Sequence, residues 1–96
     1  MGRSVSHKGI ICKKRKIDNK STSQIAKETD HTHQAVNRYT TDLERVSFCL
    51  KKKLSLNETS FVTQLSDSLV LEYVSLIEQI KKQKEEKEKL DDFLPF

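Results

Sequence analysis

The chain has 96 residues, of which 34% are hydrophobic and 33% are charged, with no Trp, two Gly and one Pro. This length allows one small domain with a modest core, and the charged fraction exceeds the roughly 25% of ordinary globular domains. The composition therefore favours an all-α fold over a β-sandwich, and no apolar run approaches the roughly 18 residues of a membrane-spanning helix.

The net charge of +4 is divided unevenly along the chain. Residues 1–53 contain thirteen Lys and Arg against five Asp and Glu, a balance of +8, whereas residues 54–96 contain five against nine, a balance of −4. A basic half favours a polyanionic partner, and an acidic half does not. We therefore divide the chain into a basic unit over 1–53 and a second unit over 54–96, which ends in a long charged helix and a short tail.

The first predicted helix is basic. Ser6 fits its N-cap, and the helix is expected to continue to about Lys16 with Ile10 and Ile11 facing inward. The four residues that close it, from Lys13 to Lys16, are all basic and resemble a nuclear-localisation run. On an amphipathic helix, a solvated or phosphate-facing role is sufficient to explain them.

A second, short helix is predicted to begin at Ser21, which is a good N-cap residue. Gln24 stands three residues later, at the position that completes a capping box. Ile25 and Ala26 are the residues of this helix that we expect to be buried. Asp30 interrupts the pattern, and it predicts a tight turn because Asp tolerates left-handed backbone better than most residues.

A third, longer helix is predicted to begin after Thr32, its expected N-cap. Apolar residues recur along it at spacings of three and four, which form one stripe on a 3.6-residue period. The stripe comprises Val36, Tyr39, Leu43, Val46 and Leu50. The second and third helices with the turn between them predict a helix-turn-helix unit.

The pattern recurs after thirty-four residues, which favours tandem helix-turn-helix units. Ser21, Thr29, Val36 and Tyr39 stand in register with Ser55, Thr63, Val70 and Tyr73. The second unit is predicted to contain a helix over 57–65 and a longer helix over 67–90. The apolar stripe of that longer helix is Leu69, Tyr73, Leu76 and Ile80. This stripe either forms a homodimer surface or packs on the first unit, and internal packing is favoured because the chain has so little core.

The third helix also has the features of a DNA-reading helix, which needs an apolar inner face, a fixed start and polar side chains on its first outward turns. The expected base contacts are His33, Gln34, Asn37, Arg38 and Thr41. Gln34 and Asn37 can pair with adenine, and Arg38 with guanine. The expected phosphate contacts are Lys13, Lys14, Arg15, Lys16, Ser21, Ser23 and Lys27. The equivalent positions of the second unit are acidic or uncharged, which opposes DNA binding there.

Other chemistries have little support in the sequence. Cys12 and Cys49 lack a CxxC spacing, which favours free thiols in a reducing cytoplasm. His31 and His33 match no zinc-finger pattern, and neither a Gly-rich phosphate loop nor a nucleophilic triad is present. The basic start of the chain has no apolar segment of a signal peptide. We therefore expect no enzymatic activity, no cofactor, no metal site and no small-molecule substrate.

Three segments resemble an uncharacterised bacterial and archaeal family whose members are often transposon-associated: "SHKGII" over 6–11, "QIAKETDHTHQAVNRYTTDLERV" over 24–46 and "SLVLEY" over 68–73. The family's I-A-x-x-T and H-S/T-x-x-A-V-x-R-Y patterns correspond to residues 25–29 and 31–39. The first unit is also similar to the helix-turn-helix of homeodomain-like and sigma-factor-like regulators. The resemblance implies this fold and DNA binding, but no target. Because family members are usually longer at the N-terminus, it also implies a truncated copy or a fragment.

These features predict a helix-turn-helix protein that binds double-stranded DNA, as a transcriptional regulator or as a mobile-element accessory protein. The alternative is a non-catalytic protein-interaction or dimerisation module that pairs through the long helix of the second unit without binding DNA. The outward polar face of the third helix separates the two hypotheses, because only the first needs Gln34, Asn37 and Arg38 to contact bases.

Overall fold

The computed structural model describes the backbone of residues 7–93 and the side chains as far as residue 86. These residues form five α-helices and no strand: α1 (His7–Lys16), α2 (Thr22–Thr29), α3 (His33–Lys51), α4 (Leu56–Thr63) and α5 (Asp67–Phe93). The predicted all-α class is therefore confirmed. None of these helices combines the length and the apolar character that crossing a bilayer requires. The predicted cap of the first helix, Ser6, lies outside the described residues.

Local capping hydrogen bonds fix the starts of α2 and α3. Ser21 Oγ accepts a hydrogen bond from the Gln24 amide at 3.2 Å, and Thr32 Oγ1 accepts one from the backbone amide of Ala35 at 3.0 Å. Both predicted N-caps are confirmed. The capping-box role predicted for Gln24 is wrong, because its side-chain amide donates to Glu28 Oε2 at 2.6 Å instead. Asp30 ends α2 in left-handed backbone, at φ 57° and ψ 46°, as the predicted turn requires.

The α4–α5 pair begins and turns in the same way. Ser55 and Glu58 form a complete capping box at the start of α4, and Gln64 ends that helix with left-handed backbone at φ 61°. Ser66 Oγ then accepts a hydrogen bond from the Leu69 amide at 3.2 Å, at the start of α5. The positions of Ser55, Gln64 and Ser66 follow those of Ser21, Asp30 and Thr32 by thirty-four residues. α4 ends two residues before its predicted limit, and α5 continues three residues beyond its own.

Two clusters of buried side chains hold the helices together, and α3 contributes to both. The first cluster joins α1, α2 and the N-terminal half of α3, and comprises Ile11, Ile25, Ala26 and Val36, with Tyr39 packed against it. The second joins α1, α3 and α5, and comprises Cys12, Leu43, Val46, Val70, Tyr73, Leu76, Ile77 and Ile80. The 19 residues of α3 span about 28 Å, so one rigid helix carries the reading candidates and connects the two clusters.

Two residues that were predicted to face inward lie at the surface. Ile10 is 36% exposed, because the inner side of α1 is centred on Ile11 and Cys12, which are both fully buried. Leu50 is 37% exposed, whereas its neighbour Cys49 is 1% exposed. α3 packs against α4 as well as α5, and its buried side includes Cys49.

The apolar stripe of α5 packs inside the chain. Tyr73, Leu76 and Ile80 are buried in the second cluster, and Leu69 packs against its edge. This is the internal packing that the sequence analysis favoured over a homodimer surface. The side chains of α5 that lie in this cluster are therefore engaged with α1 and α3.

Candidate nucleic-acid interface

The outward side of α3 presents the residues that were predicted to read bases. Each of the five, His33, Gln34, Asn37, Arg38 and Thr41, is exposed. Gln34, Arg38 and Thr41 follow one another at spacings of four and three, so they share one side of the helix. Val36 and Leu43 hold the opposite side in the two clusters. Core packing therefore fixes the orientation of α3 about its own axis, and this keeps the row of Gln34, Arg38 and Thr41 exposed.

Asn37 is joined to the two preceding helices. Thr22 Oγ1 donates a hydrogen bond to Asn37 Oδ1 at 3.2 Å, and the Arg15 guanidinium in turn donates to Thr22 Oγ1. This chain of hydrogen bonds connects the C-terminal end of α1 with the start of α2 and with α3. Asn37 therefore helps to position the helices, in addition to its predicted base contact. Gln34 has no such side-chain partner among the described residues.

Arg45 is a candidate that the sequence analysis did not include in the reading face. It is exposed and follows Arg38 by seven residues, so it extends the same side of α3 by two turns. Its helical spacing was visible in the sequence and could have identified it. Arg38 itself lies with its guanidinium carbon 5.7 Å from the centre of the Tyr39 ring, a distance that fits a cation–π contact.

Intrachain ion pairs neutralise part of the predicted phosphate-binding set. Lys14 Nζ lies 2.8 Å from Glu28 Oε1, and Lys16 Nζ lies 3.0 Å from Glu44 Oε2. Within the described residues, Lys13 and Lys27 form no ion pair. A lysine that forms no ion pair can bind a phosphate without first losing a partner, so its binding costs the least desolvation and rearrangement. Lys13 and Lys27 are therefore the strongest lysine candidates of the set.

The hydroxyl candidates of that set lie at the start of α2. Ser21 caps the helix, as described above, and Ser23 is exposed in its first turn. The first amide groups of a helix point outward and attract anions. With Lys27 one turn further on, α2 places two hydroxyl groups and one cation on a single short element.

Glu28 is the centre of the electrostatic contacts between α1 and α2. Its carboxylate accepts hydrogen bonds from Lys14, Lys20 and Gln24 at 2.8, 2.8 and 2.6 Å. These hydrogen bonds lower the pKa of the Glu28 carboxyl to about 2. They hold the end of α1, the α1–α2 turn and α2 in one arrangement.

Replacing Glu28 with Gln is expected to flatten the dependence of the melting temperature on pH in acid. A carboxyl with a lowered pKa stabilises the fold above its ordinary pKa of 4.5, and this contribution disappears as the pH falls through about 2. Circular dichroism melts of both proteins between these pH values provide the measurement. The matched control is Glu86→Gln, because Glu86 forms no ion pair with the described residues. Parallel acid profiles for the wild type and Glu28→Gln would contradict the assignment.

The corresponding face of α5 differs in charge. Asp67, Ser68 and Glu72 occupy the positions equivalent to His33, Gln34 and Arg38. Glu72 forms an ion pair with Lys8 of α1, with the two charged atoms 3.5 Å apart. A phosphate backbone would meet carboxylates on this face, and like charges repel at short range. The exposed row of basic and polar side chains is therefore found on α3 and not on the equivalent face of α5.

Both cysteines are buried, free thiols. Burial raises the pKa of the Cys12 thiol to about 12, so the group stays protonated. Its S–H donates a hydrogen bond to the Tyr39 carbonyl oxygen, with 3.7 Å between sulfur and oxygen. Among the residues that the structure describes, no three His, Cys, Asp or Glu side chains converge as metal ligands.

One comparison with known proteins gives a match. The model of a family described as "Protein of unknown function (DUF1670)" matches residues 1–76, which is most of the chain. No curated protein and no solved structure matches. The resemblance to an uncharacterised family is thereby confirmed.

Proposed function

The chain belongs to the DUF1670 family, whose description assigns no function, and we propose that it is a sequence-specific DNA-binding protein of the helix-turn-helix type. In this proposal α2, the turn at Asp30 and α3 form the helix-turn-helix, and α3 is the recognition helix. A regulator of transcription or an accessory protein of a mobile element fits such a module. The α4–α5 pair is a second, tandem unit that supports the first.

The exposed row on α3 is the observation that carries the proposal. Gln34, Arg38, Thr41 and Arg45 follow one side of the helix, and no carboxylate pairs with either arginine among the described residues. The major groove of B-DNA is about 12 Å wide and admits one α-helix. Arg can donate two hydrogen bonds to guanine, and Gln can pair with the exposed edge of adenine. The row therefore has the chemistry for direct readout.

The rest of the unit supplies backbone contacts that would set the register of α3. Ser21 and Ser23 place hydroxyl groups and helix amides at the start of α2, and Lys27 and Lys13 add cations that form no ion pair within the described part of the chain. Contacts of this kind orient a protein on the duplex and carry no sequence information. Asn37, tied to Thr22, keeps α3 fixed relative to these groups. Positioning is thus assigned to α1 and α2, and base reading to α3.

Replacing Lys27 with Ala tests the phosphate assignment. The variant is expected to bind all duplexes more weakly to a similar degree, and the slope of log K against log salt should fall in magnitude by about one. Fluorescence anisotropy on several duplexes, titrated with salt, measures both effects. Lys82→Ala is the matched control, because it removes one exposed lysine from the acidic half. Equal slopes for Lys27→Ala and the wild type would exclude the contact, and a loss confined to one sequence would contradict its phosphate role.

A further inference from the structure

A groove of about 420 Å³ lies between the C-terminal half of α3 and α5, and it plays no part in the proposed reading face. Its floor is formed by Leu43, Ile77 and Ile80 of the second cluster. Phe48 forms one wall and is 58% exposed. The groove therefore offers apolar surface at its base.

Lysines surround this apolar surface. Lys51 of α3 and Lys81 and Lys84 of α5 line the groove, and none of them forms an ion pair within the described residues. Lys16 also lines it, but its charge is paired with Glu44. An occupant that combines carboxylates with apolar side chains would match both the rim and the floor.

The chain itself contains a segment of that composition. α5 continues from Lys81 to Phe93, beyond Ile80, the last core residue among its described side chains, and these thirteen residues span about 20 Å. Residues 81–84 have a balance of +3, and residues 85–92 contain five acidic and two basic residues, a balance of −3. The sequence then ends in the apolar residues "FLPF".

We propose that the α3–α5 groove binds the C-terminal segment of a second copy of this chain, with the two α5 helices antiparallel. In this arrangement Lys81 of one copy faces Asp91 of the other, and Lys84 faces Glu88. All four positions continue the groove side of α5 at spacings of three and four. A two-fold axis near residue 86 repeats each pairing, so one dimer contains four oppositely charged pairs.

The same register supplies an apolar partner for the groove. If residue 81 faces residue 91, position 93 at the end of α5, a phenylalanine, lies level with Gln79 and beside Ile80 of the other copy. A chain cannot make this contact with itself, because α5 is continuous and Asp91 lies eleven residues, or about 16 Å, beyond Ile80. Only a second copy brings the acidic and apolar end of α5 to the groove. Of the predicted α5 stripe, Ile80 also lines this groove, whereas Leu69, Tyr73 and Leu76 do not.

Charge reversal on either side of the interface tests the proposal with the full chain and without DNA. The wild type is expected to dimerise in sedimentation equilibrium at about 0.1 M salt, and less strongly at about 1 M, where the Debye length falls to about 3 Å. Lys81→Glu with Lys84→Glu, or Glu88→Lys with Asp91→Lys, should each weaken association by at least about tenfold, because like charges then face each other. The variant that carries all four changes should recover the dimer.

Recovery by the combined variant is the decisive outcome, since a general loss of helix stability would not be reversed by further charge changes. Lys82→Glu, which lies off the groove side, is the control and should leave association unchanged. Circular dichroism checks the helix content of every variant. A wild type that stays monomeric would overturn the proposal, as would a combined variant no better than its parents. If the wild type is monomeric and the lysine reversals lower DNA affinity, the groove lysines belong to a nucleic-acid surface instead.

Discussion

Replacing Arg38 with Ala is expected to lower the affinity for the preferred DNA sequence by about 1–3 kcal/mol, or roughly 5- to 150-fold, and to relax specificity at one base pair. Arg38 is exposed near the centre of the row on α3, and its guanidinium forms no ion pair among the described residues, which leaves its donors available. An arginine that pairs with guanine makes two hydrogen bonds, and alanine replaces neither. Selection of a preferred sequence, followed by anisotropy on single-base variants, measures both effects.

Arg38→Lys is the matched control for this variant. Lysine keeps the charge but not the planar pair of donors, so affinity for mixed-sequence DNA should be retained while specificity at the same base pair declines. If Arg38→Ala binds the preferred sequence as the wild type does, Arg38 is not a reading residue. If Arg38→Ala weakens all sequences to the same extent, its contact is with phosphate.

Replacing Ile11 with Ala is expected to lower the free energy of unfolding by about 2–5 kcal/mol. Ile11 is fully buried between α1, α2 and α3, so truncation leaves a cavity that these helices can fill only in part. Small domains are stable by only about 5–15 kcal/mol, so this change removes a large fraction of the total. Urea denaturation followed by circular dichroism provides the measurement.

Ile10→Ala is the matched control, because it makes the same chemical change at the adjacent position. Ile10 is 36% exposed, and its truncation should cost well under half as much as that of Ile11. Equal losses for the two variants would mean that α1 is rotated relative to the described packing. The pair therefore measures the orientation of the helix that precedes the proposed helix-turn-helix.

The starts of the helices could be predicted from the sequence because caps depend on neighbouring residues. Ser21 and Thr32 accept hydrogen bonds from amides three residues away, and Asp30 takes the left-handed backbone that a short turn requires. The same local rule places Ser55 at the start of α4, whereas the end of α4 at Thr63 precedes its predicted limit. Interactions over three or four residues are visible in a single sequence. The helical fold and the exposure of the reading row follow from them.

Contacts between helices could not be predicted in the same way. Periodicity placed Ile10 inward, but the buried side of α1 is centred on Ile11 and Cys12, which pack into the two clusters with residues of the other helices. Gln24 does not complete the predicted capping box because its side chain extends toward Glu28, where its NH2 group donates to a carboxylate that also binds Lys14 and Lys20. The Glu28 partners Lys14 and Lys20 stand fourteen and eight residues earlier in the chain, so local patterns do not encode the cluster that Gln24 joins.

Fluorescence anisotropy of the full chain on mixed-sequence duplex DNA, titrated with salt, tests the central claim most directly. The proposed function predicts micromolar binding at low salt and a steep loss as salt rises, because each neutralised phosphate contributes about −0.9 to the slope of log K against log salt. Absence of binding even at low salt would contradict the claim. The basic half would then be a solvated surface, and a protein-interaction module would be the better account of this chain.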